Sequence, residues 1–251
     1  MSGGAMAAPP LGDRLGQVVL RPVRTHVFEA CVEQLGTAIR LGVYPQGSVL
    51  PPERDLAERL EVSRATVREA IAALRQAGMV RTRRGRGGGS VVSYEPEAPS
   101  YGGTPGLKDR REELLDCLVF RRVVEPGACW TAASRKLTAS QRLLLTTALH
   151  EVDRAAEAGD PASHRQADSR LHLALASVTE SARTTEAVTQ VQACLHDMLQ
   201  AIPVLHRNIE HSTAQHHAIV TAVLAGDPSR ARRTMEQHCD DTAALLRGLL
   251  G

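Results

Sequence analysis

Apolar side chains in the first third of the chain recur every three to four residues, which is the period of an amphipathic helix. The first run predicts a helix from about Thr25 to Leu41, with core-facing positions Val27, Cys31, Leu35, Ala38 and Ile39. Two shorter helices are predicted after it, over 52–60 and from the N-cap residue Ser63 to about Ala77. The Pro and Gly residues of 42–51 favour a turn between the first two helices.

A basic hairpin is predicted after the third helix. Met79–Arg83 and Ser90–Val92 have strand-forming residues, and Arg84–Gly89 between them contains only Arg and Gly. The order helix, helix, turn, helix and basic hairpin is that of a winged helix-turn-helix. We therefore predict a DNA-binding domain over residues 25–93, preceded by a flexible arm over 1–24, where little periodicity is seen.

The rest of the chain is predicted to be helical. Residues 94–107 have the Pro- and Gly-rich composition of a linker. Helical periodicity then continues to the end, with helices expected at roughly 108–134, 138–158, 161–178, 181–205, 208–225 and 228–249. The predicted fold class is mainly α: an N-terminal winged helix-turn-helix with a small β-hairpin wing, and a C-terminal all-α antiparallel helical bundle of six or seven helices.

Charge and cysteine content bear on the partner and the cellular location of the protein. Residues 1–95 hold 13 basic against 9 acidic side chains and the rest 17 against 19, so balances of +4 and −2 make the net charge of +2. A basic front portion is compatible with a nucleic-acid partner. Five scattered cysteines without a paired motif indicate reduced thiols. No run approaches the roughly 20 apolar residues that cross a membrane, so we expect a cytoplasmic, nucleoid-associated protein.

The third helix carries the residues that are best suited to read DNA. Val67, Ile71 and Leu74 form its buried stripe, which leaves Ser63, Arg64, Thr66 and Arg68 on exposed positions. Arg can contact guanine with two hydrogen bonds, and hydroxyls bind phosphates or base edges. The arginines of the predicted wing, including Arg84, suit phosphate or minor-groove contact. An ordinary solvated face is the alternative for each arginine taken singly.

The front part of the chain resembles a known family. The stretches YPQGSVLPPERDLA (44–57) and VSRATVREA (62–70) are similar to those of the GntR family of bacterial repressors, and the match covers about residues 25–92. The resemblance implies that Arg54, Arg64, Thr66 and Arg68 contact the operator. It also implies that the wing tip at Arg84-Gly85 enters the minor groove.

The back part resembles the FadR-type subfamily with its FCD effector domain. Three stretches carry this resemblance: FRRVVEP (120–126), Asp168-x-x-x-His172, and HHAIV (216–220) followed by His238. The resemblance implies that residues 108–251 bind an effector and dimerise. A homodimer would read a palindromic operator, because two-fold symmetry demands matching half-sites.

Four residues of this part form a candidate metal site. Asp168 and His172 are four residues apart, so they share one helix face. His216 and His238 each lie about ten residues from the turn at 226–227, which places them at a similar depth on consecutive antiparallel helices. One carboxylate and three imidazoles suit a divalent transition metal: Zn²⁺ first, with Ni²⁺, Mn²⁺ or Fe²⁺ as alternatives.

The other histidines are weaker candidates as metal ligands. His217 points about 100° away from His216 on a helix, and His196 is the runner-up ligand. Four further histidines are expected at the surface: His150, His164, His206 and His211.

The expected effector is a small organic acid. Arg121 lies in the stretch that resembles the subfamily's ligand-proximal Arg-Arg-x-x-Glu, and a guanidinium can hold a carboxylate with two hydrogen bonds. Two alternatives stay open at this point: Arg121 pairs only with Glu125 one turn on, or Arg122 is the residue that points inward.

These features together predict a ligand-responsive regulator, a repressor that binds double-stranded DNA. In one alternative the metal itself is the signal. In another the chain is a metal-dependent hydrolase, but neither a nucleophile elbow nor a phosphate-binding glycine loop is found in the sequence.

Overall fold

A computed structural model describes residues 11–20, 26–85, 88–95, 110–199 and 206–250. These residues form ten helices and two strands in the order α1 (Leu11–Val19), α2 (Val27–Arg40), α3 (Glu53–Leu60), α4 (Arg64–Gln76), β1 (Val80–Arg83), β2 (Gly89–Val92), α5 (Arg111–Ala133), α6 (Ala139–Ala158), α7 (Pro161–Ser177), α8 (Ala182–Leu199), α9 (His206–Ala225) and α10 (Pro228–Leu250).

The elements from α2 to β2 form the predicted winged helix-turn-helix. Ser63 begins α4 as its N-cap, because its hydroxyl accepts a hydrogen bond of 3.1 Å from the amide of Thr66. The helix then buries one stripe: Val67, Ala70, Ile71 and Leu74. The strands β1 and β2 pair antiparallel, and an additional bridge from Val49 to Val91 attaches the hairpin to the segment before α3.

The six helices from α5 to α10 form the all-α bundle, as the periodicity predicts. In this bundle α5 packs along α10, and α7 lies between α6 and α8. Local signals set where these helices begin. Thr138 and Gln141 form a capping box at the start of α6, and Asp160 accepts amide hydrogen bonds at the start of α7, just before Pro161. Among the described residues, no helix is both long and apolar enough to cross a membrane.

Part of the predicted flexible arm is helical, so the prediction for 1–24 was wrong over Leu11–Val19. Leu11, Leu15 and Val19 follow one another at four-residue intervals and are all buried. They contact both the DNA-binding domain and the bundle, since α1 packs against α2, α6, α7 and α8. A nine-residue helix gains its stability from such tertiary contacts rather than from its own propensity, and three apolar positions are too short a pattern to identify it from the sequence alone.

One group of buried apolar side chains runs through α1, the winged helix-turn-helix and much of the bundle. Tyr94, at the start of the predicted linker, packs against this group and lies with its hydroxyl 3.4 Å from Nε2 of His196 on α8. The DNA-binding domain is therefore seated on the bundle rather than only tethered to it.

Candidate metal centre and nucleic-acid interface

The four predicted metal ligands come together between three helices. Asp168 and His172 project from α7, His216 from α9 and His238 from α10. One potential ligand atom from each side chain lies within 4.8 Å of the others. Two ligands on opposite sides of an ion at about 2.1 Å are about 4.2 Å apart, so a small divalent ion fits this cluster with minor adjustment.

The histidine nitrogens of this cluster are placed where they could bind a cation. Nε2 of His216 lies 3.2 Å from Oδ1 of Asp168, and Nε2 of His172 lies 3.9 Å from the other oxygen. The Nε2 atoms of His172, His216 and His238 are buried, and none has a hydrogen-bond partner in the part of the chain that the structure describes. Buried polar atoms without partners are rare in proteins, and a metal among these nitrogens accounts for all three.

Burial keeps two histidines of the cluster in the protonation state that a metal requires. It lowers the pKa of His216 to about 4 and that of His238 well below its ordinary value, so both imidazoles are neutral near pH 7. Burial acts to raise the pKa of Asp168, but the neighbouring His216 and His172 outweigh it and lower that pKa. Metals bind neutral imidazole and ionised carboxylate, which are the states of His216, His238 and Asp168 here.

Two outer residues orient the histidine rings. Nδ1 of His172 lies 3.0 Å from Oε2 of Glu125, although the angle there does not make a regular hydrogen bond. Nδ1 of His238 lies 3.0 Å from Oε1 of Gln215, with which it is hydrogen-bonded. Each contact turns the other nitrogen of its ring, Nε2, toward the cluster. Outer partners of this kind fix the tautomer and ring orientation of metal-binding histidines.

Arg121 is buried beside the cluster and pairs with Glu125, whose Oε2 accepts from its Nε at 2.8 Å. Burial acts to lower the pKa of Arg121, but the negative charge of Glu125 outweighs it, so the guanidinium stays charged. Oε1 of Glu125 accepts from Gln192 at 2.6 Å. Nη1 of Arg121 has no hydrogen-bond partner among the described residues and is buried. Arg122 instead points outward to Glu236 and Asp240.

The candidate DNA-reading residues lie at the exposed start of α4 and beside it. Arg54, Arg64 and Arg68 are exposed, and Arg68 pairs with Glu53 at 3.3 Å, which places the first turn of α3 next to α4. Thr66 is half-buried and contacts the hydroxyl of Ser63 at 2.9 Å. The hydroxyl of Ser63 thus caps the helix and is already hydrogen-bonded.

The wing tip is exposed at Arg84 and Gly85. Gly85 has φ +99°, a conformation that favours glycine, so the turn depends on this residue. Arg86, another arginine of the predicted wing, lies outside the described residues.

Family models match both parts of the chain. Residues 29–89 match the model for bacterial regulatory proteins of the gntR family, and residues 116–241 match the FCD domain. The chain belongs to the GntR family. Its FCD domain supports the FadR-type subfamily predicted from the sequence, and this GntR member is a DNA-binding transcriptional regulator.

Curated relatives agree with this assignment. An HTH-type transcriptional regulator of Mycobacterium tuberculosis is 32% identical over 90% of this chain and 91% of its own length. A protein of Escherichia coli K12 named for regulation of the L-lactate dehydrogenase operon is 29% identical over 76% of this chain and 75% of its own length. The transcriptional repressor NanR of Cronobacter sakazakii is 29% identical over 97% of this chain and 93% of its own length. These relatives are regulators, which decides against the hydrolase alternative.

A solved structure is similar over most of the chain. A crystal structure assigned to a GntR transcriptional regulator of Rhodococcus sp. RHA1 has a TM-score of 0.51 and 25% identity, and the match covers 89% of this chain and 99% of that one. The winged helix-turn-helix followed by a helical domain is therefore confirmed as the fold of the GntR regulator.

Six further histidines of the GntR regulator, which the sequence analysis considered, differ in their exposure. His164 was expected at the surface, but it is buried, because α7 is covered on most sides by its neighbours. His196 is also buried, yet it contacts Tyr94 and does not belong to the metal cluster. His217 is half-exposed and bonded to Asp153. His150 and His211 are exposed as predicted, and the side chain of His206 lies outside the described part.

Three functional side chains of the GntR regulator were not identified as such from the sequence. Glu125 was considered only as a partner of Arg121, although its place in the Arg-Arg-x-x-Glu-Pro stretch was a signal. Gln192 and Gln215 carry no local signal. Each acts on a residue that is distant in sequence, since 67 and 23 positions separate the bonded pairs.

Proposed function

We propose that this GntR regulator binds a palindromic operator as a homodimer and that a small organic acid, bound at a divalent metal in the bundle, changes its affinity for DNA. Residues 25–93 read the DNA, and residues 108–251 bind the effector and dimerise. The observation that carries the proposal is the buried Nη1 of Arg121, which lacks a partner among the described residues. Arg121 and His172 meet the same oxygen of Glu125.

Asp168, His172, His216 and His238 are the proposed metal ligands, and the donor set favours Zn²⁺. A divalent ion held by these four residues would supply positive charge, and it would accept an oxygen donor where its coordination number exceeds four. Arg121 supplies the second positive group, held in place by Glu125 and thus preoriented. A hydroxy-, keto- or sugar acid offers oxygen atoms suited to both positive groups. The name of the relative linked to the L-lactate dehydrogenase operon is consistent with this class of ligand.

Operator recognition is assigned to the exposed start of α4, to α3 and to the wing. Arg64 and Arg68 are the proposed base readers. Their neighbours and the wing tip contribute phosphate and minor-groove contacts: Arg54, Ser63, Thr66, Arg84 and Gly85. The role of the regulator is proposed to be repression, as the name of the relative NanR states for that protein.

The outer face of α5 supports the homodimer. Among the described residues, four of the seven large apolar side chains that are exposed lie on this helix: Val119, Phe120, Val123 and Trp130. Val119 and Val123 are one turn apart, so they share a face. Such contiguous apolar patches mark interaction surfaces, and a second copy of the chain brings two recognition helices to one palindrome.

Calorimetry with a panel of small acids and operator binding by fluorescence anisotropy test the effector. The duplex is selected by the protein from a random pool, and metal-free and zinc-loaded proteins are compared. We expect an acid to bind the zinc-loaded wild type and to change operator affinity about 5–150-fold. Arg121→Ala loses that binding, and the outward-facing Arg122→Ala keeps it.

Other results would assign a different signal. A change in operator affinity on zinc loading alone, with no further effect of any acid, makes the metal itself the signal. Unchanged acid affinity in Arg121→Ala, or tight binding of an uncharged ligand, overturns the proposed effector site.

A further inference from the structure

Two side chains of α7 hold the end of α2 in the DNA-binding domain. Nε2 of Gln166 donates to the backbone oxygen of Arg40 at 3.0 Å, and Nη1 of Arg170 donates to the oxygen of Gly42 at 3.2 Å. The last carbonyls of a helix lack partners within that helix, so these bonds satisfy groups that otherwise need water. Arg170 is itself fixed by Glu151 of α6 at 2.8 Å.

The contact is tight at Gly42. Gly42 has φ +69°, and a Cβ built on it would lie 2.6 Å from Nη1 of Arg170 and 2.8 Å from Cβ of Gln166. Real side chains do not approach so closely, so the turn after α2 accepts only glycine at position 42 without moving α7. The buried apolar group also continues across this boundary, so α7 and the end of α2 belong to one packed core.

The same helix carries two of the proposed metal ligands on its opposite face. Each residue turns a helix by about 100°, so residues two apart point about 160° away from each other. Asp168 stands two positions from both Gln166 and Arg170. One pair of residues four apart, Asp168 and His172, therefore faces α9 and α10. The other pair, Gln166 and Arg170, faces the DNA-binding domain. We call the second pair the α7 pair.

We propose that the α7 pair transmits the state of the ligand site to the DNA-binding domain. A ligand that draws Asp168 and His172 toward α9 and α10 moves α7 as a rigid rod, and the α7 pair carries the end of α2 with it. The positions of α3 and α4, which pack through the same domain, change accordingly. The proposal rests on the proposed function for the identity of the ligand site. The link between α7 and α2 stands on its own contacts.

Hydrogen exchange of the full-length protein tests the link in both directions, because coupling between two sites is reciprocal. One arm adds the selected operator duplex and follows residues 161–177. The other adds zinc chloride to metal-free protein and follows residues 38–44. In the wild type we expect each addition to change exchange of the distant segment about fivefold. The double variant Gln166→Ala/Arg170→Ala loses both responses while still binding DNA and zinc.

A second variant guards against loss of folding in the double variant. Gly42→Ala disrupts the same contact from the side of the DNA-binding domain and leaves the sequence of α7 unchanged. It is therefore also expected to lose both responses. Arg183→Ala, an exposed arginine of α8, is the matched control and keeps them. The proposal is overturned if the operator response seen in the wild type persists in both contact variants. It is also overturned if the wild type itself shows no operator response. If zinc fails to bind while the operator response follows the α7 pair, the link stands and only the metal site of the proposed function is wrong.

Discussion

Oε2 of Glu125 lies 3.0 Å from Nδ1 of His172, and the same oxygen accepts a hydrogen bond from Arg121. One buried carboxylate thus serves a proposed metal ligand and the proposed effector clamp. Burial acts to raise the pKa of Glu125, but Arg121 and His172 outweigh it and hold that pKa far below its usual range. The carboxylate therefore stays ionised near pH 7, and it joins the metal site to the effector site.

Replacing this carboxylate should weaken the metal site without removing a ligand. Glu125→Gln is expected to lower zinc affinity about 10–100-fold, the usual cost of losing an outer partner of a metal-binding histidine. Competition titration with a zinc indicator measures the change. Glu112→Gln alters an exposed glutamate of the same helix and serves as the control. Equal zinc affinity in all three proteins would show that Glu125 does not orient His172.

Removing a proposed ligand should abolish stoichiometric metal binding. His172→Ala and His238→Ala are expected to lose the ion, whereas His217→Ala, whose side chain is bonded to Asp153, retains it. Elemental analysis after dialysis gives the metal content. Chelation should also lower the melting temperature of the wild type, because a ligand of the native state raises apparent stability. The same metal content in every variant contradicts the site.

Arginines at the start of α4 should discriminate operator from random DNA. Arg64→Ala and Arg68→Ala are each expected to lose about 1–3 kcal/mol of operator binding, if they contact base edges. Arg75→Ala, exposed in the last turn of the helix, is the control. Anisotropy titrations on the selected duplex and on a scrambled duplex separate the two contributions. Equal losses on both duplexes would assign the arginines to phosphates instead.

A charge on the outer face of α5 should prevent association. Val123 is 70% exposed, so Val123→Glu costs little in the isolated chain but buries an unpaired charge in a dimer. Sedimentation velocity is expected to give a dimer for the wild type and a monomer for the variant. Leu143→Glu places the same charge on α6, at a leucine that is 48% exposed, and should leave the dimer intact. A dimer that tolerates Val123→Glu requires another interface.

His196 should make the fold sensitive to acid. Burial, with Arg165 and Arg40 nearby, lowers its pKa from 6.5 to about 4. Between these values the unfolded chain binds the proton and the folded chain does not, so stability falls as pH drops from 6.5 to 4. The full shift corresponds to on the order of 3 kcal/mol. Urea unfolding should show a shallower pH dependence for His196→Gln than for the wild type. His150→Gln, an exposed site, should behave like the wild type, and parallel curves for all three proteins contradict the assignment.

Local signals in the sequence were sufficient for the winged helix-turn-helix and for most of the bundle. Helix periodicity, the cap at Ser63 and the Asp-Pro pair at 160–161 act within a few residues, so they can be recognised without knowing the fold. The spacing of Asp168 and His172 belongs to the same class, because a helix alone brings residues four apart to one face. The equal distance of His216 and His238 from the turn at 226–227, together with the resemblance to the family, then supplied them as partners.

Tertiary structure decided the features that join distant parts of the chain. The helix α1 is stabilised by contacts with two domains, and His164 is buried by neighbouring helices rather than by its own pattern. Glu125 forms an ion pair with Arg121 of its own helix, but only the packing of helices brings Gln192 and His172 to the same carboxylate. The bonds from Gln166 and Arg170 to the end of α2 likewise span more than 120 positions. The period of the apolar residues and the capping residues determine which side chains share one face of a helix. Which helices then contact each other depends on how all of their surfaces pack together.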